Sequence, residues 1–147
     1  MFDIIFAQNE MVFLFNLSLC VLAGFAIGLE RESRGKDAGI STHTLVIMGS
    51  MLFTFISGAI EPDHAARIAA QVVMGIGFLG GGLILKDGIT VHNLTTAASL
   101  WFAAAIGMAF GFGFYTIGVL STFVAILILH VPRIGTRRNT GITEKSH

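Results

Sequence analysis

The chain has 147 residues, of which 54% are hydrophobic and 12% charged, whereas a soluble domain usually carries about a quarter charged residues. Nine Lys and Arg balance nine Asp and Glu, which leaves no overall electrostatic footprint for nucleic acid or an acidic substrate. The single cysteine, Cys20, excludes an intramolecular disulfide and a zinc centre built on cysteine pairs, and it reads as a small packing residue.

The first ten residues, MFDIIFAQNE, contain two acids and no Lys or Arg. They lack the basic start of a secretory signal, and the apolar run that follows ends in GLERE without a small-residue cleavage site, so the first helix is expected to be retained. A helix that crosses the roughly 30 Å hydrocarbon layer needs about 17–25 mostly apolar residues. The runs 11–29, 44–60 and 68–85 approach that length. A fourth run, 95–129, has 35 residues and as one helix would reach about 52 Å, too long for one crossing. It is expected to fold back at Gly111-Phe112-Gly113, where glycines tolerate a turn.

The expected architecture is therefore an all-α membrane protein, a bundle of about five transmembrane helices. Charge placement supports five over four, because loops rich in Lys and Arg stay in the cytoplasm. Five spans place Arg31, Arg34, Lys36, Lys86, Arg133, Arg137, Arg138 and Lys145 on one side and only Arg67 on the other. Four spans would move the C-terminal cations across and erase the bias. The N-terminus is then expected outside and the C-terminus in the cytoplasm, with residues 1–131 as the membrane domain and 132–147 as a short basic tail. That tail is too short for a core of its own; it serves as an orientation signal or as an anchor on anionic headgroups.

Glycines recur four apart at Gly24 and Gly28, Gly77 and Gly81, and Gly107 and Gly111. Such spacing puts small residues on one helix face and lets helices in lipid approach closely, within a bundle or in a homodimer. The run GIGFLGGG, which includes Gly75, Gly77, Gly80 and Gly81, reads either as close packing or as a helix unwound to line a cavity.

Two polar linkers share the side expected to be cytoplasmic. In GLERESRGKDAGISTHT, residues 28–44, Glu30 and Arg34 stand at i,i+4 and read as an interfacial ion pair. Alternatively Glu30, Glu32 and Asp37 supply hard oxygen ligands for Mg²⁺, Glu30 and Asp37 foremost, although Arg31, Arg34 and Lys36 oppose divalent binding. In KDGITVHNLTTAAS, residues 86–99, Asn93, Thr95 and Thr96 are placed to cap the next helix. The start of that helix also attracts carboxylates, so Glu30 or Asp37 is expected to dock there if the linkers meet. His43 and His92 read as interfacial polar residues, or as two ligands of one ion.

Away from their ends the proposed spans contain no Asp, Glu, Lys or Arg, which argues against a proton-coupled carrier. Asn16, Ser50, Thr54, Ser57, Gln71 and Ser99 remain to bond across helices or to line a wet path. The chain contains no GxxxxGK[ST], HExxH or GxSxG motif, so no enzymatic activity and no cofactor is expected beyond a possible Mg²⁺ ion.

Three ordered blocks, GLERESRGKDAGISTHTLV, QVVMGIGFLGGGLILKDG and LTTAASLWFAAAIGMAFGFGFY, resemble the membrane domain of the MgtC/SapB family from about Leu22 to Val131. The family pattern falls on Glu30, Arg31, Glu32, Arg34, Gly35, Gly39, Thr42 and His43, then on Gln71, Gly75, Gly77, Gly80, Leu94, Thr95 and Thr96. Ser41 departs from it where a basic residue is usual, as does Asn93 where glycine is frequent. The resemblance implies a multi-pass protein of a prokaryotic cytoplasmic (inner) membrane, linked to magnesium homeostasis, adaptation to low magnesium and, in some relatives, virulence. Some members are labelled Mg²⁺ transporters and others bind and regulate membrane proteins. Some carry a C-terminal cytoplasmic domain, and this chain looks like the short, SapB-type members without it. Expected partners are the lipid bilayer, other membrane proteins and a second copy of the chain; the expected contact residues are Glu30, Arg31, Glu32, Arg34, Asp37, Thr42, His43, Gln71, Asn93, Thr95 and Thr96. The rival expectation is a channel or transporter for Mg²⁺ or another small solute, with glycine-rich backbone lining an oligomeric pore.

Overall fold

The computed structural model describes residues 2–60 and 65–131. The tail expected over 132–147 lies outside the described residues. Five helices carry the fold: α1 (Phe2–Ser33), α2 (Ile40–Ile60), α3 (Ala65–Leu83), α4 (Leu94–Gly111) and α5 (Tyr115–His130). Two short strands, β1 (Leu85–Asp87) and β2 (Thr90–His92), form an antiparallel hairpin between α3 and α4. This hairpin occupies the polar linker between α3 and α4 and leaves the bundle itself all-α, as expected. Gly88, at φ 57, takes the first turn position, where a two-residue hairpin loop of this kind calls for glycine.

Four segments are long and apolar enough to cross a bilayer: Glu10–Ser33, Ile40–Ile60, Ala66–Leu83 and Leu94–Gly111. Their outer faces carry large apolar side chains such as Phe25, Phe53 and Phe78, a surface that water does not tolerate and lipid does. The protein is a multi-pass membrane protein. Helix α5 has 16 residues and rises about 24 Å, somewhat less than the hydrocarbon thickness.

Glycine sets where two of the helices stop. After α1, Gly35 adopts φ 60; its N–H donates to Glu32 O and the N–H of Lys36 donates to Arg31 O, the paired bonds of a Schellman stop. The same device closes α4, with Gly113 at φ 78 donating to Phe110 O and Phe114 to Ala109 O. The fold-back expected at Gly111-Phe112-Gly113 is thus a turn at Phe112–Gly113, and α5 starts at Tyr115.

The glycine pairs show how the helices run. A Cβ at Gly24 or Gly28 would collide with the backbone of Thr44 or Ile40, so the end of α1 lies against the start of α2. A Cβ at Gly107 would collide with the carbonyl of Ile47, and one at Gly111 with Thr54, so α4 runs beside α2 in the same direction. Gly80, near the end of α3, faces Ala97 near the start of α4. Helix α5 returns along α1: Phe15 and Tyr115 stack edge-on at 5.3 Å, and Arg34 donates to His130 O at 2.9 Å. Consequently the ends of α1, α3 and α5 and the starts of α2 and α4 gather at one end of the bundle. The core between them comprises Cys20, Ala23, Ile27, Ile47, Met51, Ala103, Ile106, Phe110 and Ala125.

Helix α3 stands apart from this arrangement. Only 11% of its span is buried, against 33% for α1 and α2 and 44% for α4. It remains helical through Gly80-Gly81-Gly82 to Leu83, so the unwinding considered for the glycine run is absent. Nothing lies within 4 Å of a Cβ built at Gly75, Gly77 or Gly81.

Candidate functional site

Polar side chains concentrate where the helix ends meet. Glu30 and Arg31, on the last turn of α1, are both buried, at 8% and 2% exposure. Arg34, one turn further, places Nε 2.6 Å from Glu30 Oε1, and Arg31 Nη1 stands 4.0 Å from Glu30 Oε2. Neither carboxylate oxygen has a well-aligned hydrogen bond, so Glu30 is held chiefly by the charge of two guanidinium groups. The i,i+4 pair read from the sequence is therefore present, and Arg31 makes it a triad.

Arg31 reaches across the bundle. Its Nη2 donates to Thr96 Oγ1 at 3.1 Å in the first turn of α4, a buried bond between residues 65 positions apart. The side chain that docks at the start of α4 is thus a cation, which corrects the expectation of Glu30 or Asp37 there. Thr96 also accepts at its carbonyl from Ser99 Oγ at 2.7 Å, and Ser99 Oγ lies 3.1 Å from His43 Nε2. His43 is fully buried, and its Nδ1 is 3.0 Å from Gly39 O just before α2, so Nδ1 carries the proton in that bond, and Nε2 and Thr96 O compete for the single proton of the Ser99 hydroxyl. Helices α1, α2 and α4 are thereby tied by one chain of polar contacts, and Arg34 adds the end of α5 through His130 O.

The α1–α2 corner has its own closure. Glu32 Oε1 accepts from the N–H of Ile40 at 2.8 Å, capping α2, and it fills the place a Cβ on Gly39 would need. Glu32 is thus a structural cap in this arrangement. Asp37 lies exposed in the turn before α2. Among the described residues no three His, Cys, Asp or Glu side chains gather as a metal-binding set.

Other expected contact residues sit elsewhere. His92 is exposed on β2, whereas His43 is fully buried with its ring nitrogens against Gly39 O and Ser99 Oγ, so the two histidines stand in different environments. Asn93 precedes α4 in the left-handed conformation, φ 62, and its side chain makes no capping bond, which corrects the capping role expected for it. That backbone conformation suits glycine and is tolerated by asparagine, so Asn93 satisfies the same geometry as the glycine frequent in the resembling family. Thr95 is exposed and Thr42 half-buried. Gln71 lines a cleft between α2 and α3. Two participants escaped the sequence reading: the backbone carbonyl of His130, which has no sequence signal, and Ser99 as the partner of His43.

The arrangement is chemically a clasp. Its acid is neutralised by two bases, its histidine is sealed from solvent, and its hydroxyls are engaged with neighbouring helices.

The MgtC family profile matches residues 17–137. YhiD of Escherichia coli (strain K12), which bears the name "Putative magnesium transporter YhiD", is 44% identical over an alignment covering 81% of this chain and 60% of that protein. Protein MgtC of Salmonella typhimurium (strain LT2) is 41% identical, and the uncharacterized protein slr0014 of Synechocystis is 43% identical; each alignment covers 78% of this chain and 49% of the relative. The chain thus spans about half to three-fifths of the length of these relatives. No solved structure matches it. With 121 consecutive residues under the family profile, this chain belongs to the MgtC family.

Proposed function

We propose that this chain is a noncatalytic protein of magnesium homeostasis in the cytoplasmic membrane of a prokaryote, acting by binding and regulating membrane partners at its charged end. It crosses the bilayer five times, with the N-terminus outside and the C-terminus in the cytoplasm. The convergence of helix ends supports that topology: Arg31, Arg34, Lys36 and Lys86 share the end from which the chain leaves α5, while Arg67, at the start of α3, stands at the opposite end.

One observation carries the noncatalytic reading. The buried ionisable groups Glu30 and Arg31 are consumed in joining helix ends, and no Asp, Glu, Lys or Arg lies within the spans between those ends. Mg²⁺ gives up its waters reluctantly and is usually held by one or two carboxylates; Glu30 faces two guanidinium groups instead. Exposed Lys36, Asp37, Lys86 and Asp87 lie on the linkers at the same end of the bundle and offer a polar contact surface.

The name borne by the E. coli relative favours the rival, a Mg²⁺ transporter. Reconstitution separates the two. The purified chain in liposomes is expected to give no Mg²⁺ flux above empty vesicles, while affinity capture from native membranes returns a reproducible membrane partner that is lost on reversing the charge of Lys36 and Lys86. A saturable Mg²⁺ flux abolished by Glu30→Gln in a protein of unchanged helicity overturns the regulator and leaves the transporter.

A further inference from the structure

Contacts across the bundle fix how deep the turn between α4 and α5 lies. Helices α1 and α2 hold one register along their length: Ile40 lies against Gly28, Thr44 against Gly24, and Phe55 stacks on Phe13 at 5.6 Å. Thr54 is therefore level with Leu14, and so is Gly111, whose Cβ would collide with Thr54. The contact of Tyr115 with Phe15 at 5.3 Å places the far side of the turn at the same height. Glu10 opens the α1 span and stands four residues beyond Leu14, about 6 Å at 1.5 Å per residue. Glu30, at the clasp, is 20 residues from Glu10, about 30 Å, the thickness of the hydrocarbon layer. Helix α2 likewise continues past Thr54 to Ile60, about 9 Å further.

We propose that the membrane is thinned at this corner: the leaflet opposite the clasp dips by about 6 Å, so that its headgroups and their water meet the α4–α5 turn.

The backbone of the corner calls for such a partner. The N–H groups of Phe112, Gly113 and Phe114 donate to Met108, Phe110 and Ala109. Those of Tyr115, Thr116 and Ile117, in the first turn of α5, have no acceptor within the helix, and Phe114 in the capping position makes no side-chain bond. The carbonyls of Gly111, Phe112 and Gly113 receive no hydrogen bond from the described residues. Polar backbone left in hydrocarbon is far costlier per group than thinning a bilayer is per ångström. The side chains agree with an interfacial position: Tyr115 is the only tyrosine of the chain, and tyrosine collects at the headgroup level. Helix α5, with its 16 residues, reaches from headgroup to headgroup only where the layer is thinner than usual.

The test uses the full chain with Cys20→Ala, reconstituted in vesicles of dioleoyl phosphatidylethanolamine and phosphatidylglycerol. Spin labels are placed at the corner, on Phe112→Cys or Phe114→Cys, and on Leu14→Cys, which is exposed on α1 at the same height and turned about 100° from Phe15. Collision with oxygen, which dissolves in hydrocarbon, is compared with collision with a water-soluble nickel chelate. The corner labels are expected to report the headgroup layer and the Leu14 label hydrocarbon about 6 Å below it, with circular dichroism unchanged in all three variants. Corner labels at the depth of the Leu14 label overturn the proposal. If all lie in hydrocarbon, the turn is buried in an unthinned leaflet; if all lie among headgroups, the membrane edge is flat and α1 and α2 project beyond it.

Discussion

Adding one methyl group at Gly107 is expected to loosen the protein, while the same change at Gly77 is not. A Cβ at Gly107 would overlap the carbonyl oxygen of Ile47, with the carbonyl carbon at 2.9 Å and Cα at 3.0 Å, against 3.4–4 Å for ordinary contact. The obstacle is backbone, so it cannot swing aside, and α4 must retreat from α2 by half an ångström or more. Ile47 is fully buried and packed with Met51 and Ile106, and a radial gap of 0.5–1 Å forfeits about a quarter to a half of a contact's attraction. Overpacking of this kind costs about 1–3 kcal/mol. Replacing glycine within a helix returns about 0.5–1 kcal/mol, leaving a net loss of about 1–2 kcal/mol. At Gly77 nothing opposes the methyl group, so only the gain of up to about 1 kcal/mol remains. Reversible unfolding in mixed micelles titrated with sodium dodecyl sulfate, followed by far-ultraviolet circular dichroism, should separate the two variants by about 2 kcal/mol. Equal stability of Gly107→Ala and Gly77→Ala would refute the close approach of α2 and α4.

Three further outcomes follow from the same geometry. In a double-mutant cycle, Arg31→Met and Thr96→Val should show a coupling of about 1 kcal/mol in that unfolding assay, whereas strictly additive losses would mean the buried bond contributes nothing. Asn93→Gly should leave stability within about 0.5 kcal/mol while Asn93→Val costs about 1–2 kcal/mol, because a β-branched side chain is strained at positive φ; equal melting temperatures would remove the left-handed turn. Cys20 is fully buried, so the unmodified chain should resist an impermeant maleimide. In a Cys20→Ala background Lys36→Cys and Ile89→Cys should label from the same side of the membrane and Glu10→Cys from the other, and labelling of all three from one side would end the five-crossing topology.

The helices were legible because their apolar runs approach the thickness of a bilayer, and the α4–α5 break because a 35-residue run cannot cross in one piece. The hairpin was not legible: strands of three exposed residues are too short to show an alternating pattern, and Gly88 alone marks their turn. Three glycine pairs look alike in sequence, yet only those of α1 and α4 press against another backbone. Spacing reveals which residues share a face but not what that face meets. The same limit applies to the clasp. Glu30 and Arg34 are neighbours on one helix and announce their pairing, whereas Arg31 and Thr96 are brought together by the packing of α1 on α4, a contact no local pattern encodes.

The division between the clasped helices and α3 bears directly on how the protein can act. A divalent cation at Glu30 would have to compete with Arg34 at 2.6 Å and Arg31 at 4.0 Å, and displacing Arg31 would also leave Thr96 without its donor. Pulling a buried guanidinium away from its carboxylate is costly, and a partly hydrated Mg²⁺ on one carboxylate returns little. Sensing by direct binding at the clasp is therefore unfavourable. Its physical effect is to hold the starts of α2 and α4 in register with the ends of α1 and α5, which fixes the linkers that carry Lys36, Asp37, Lys86 and Asp87. Helix α3 meets α4 near Gly80 and Ala97, is flanked by a cleft and is less buried than α1, α2 or α4, so it resists displacement less than those three helices. A partner or lipid that moves α3 shifts β1 and β2 directly, because β1 begins two residues beyond its last turn. Any displacement of α3 is thus carried to the hairpin, with the clasp as the fixed frame against which they move.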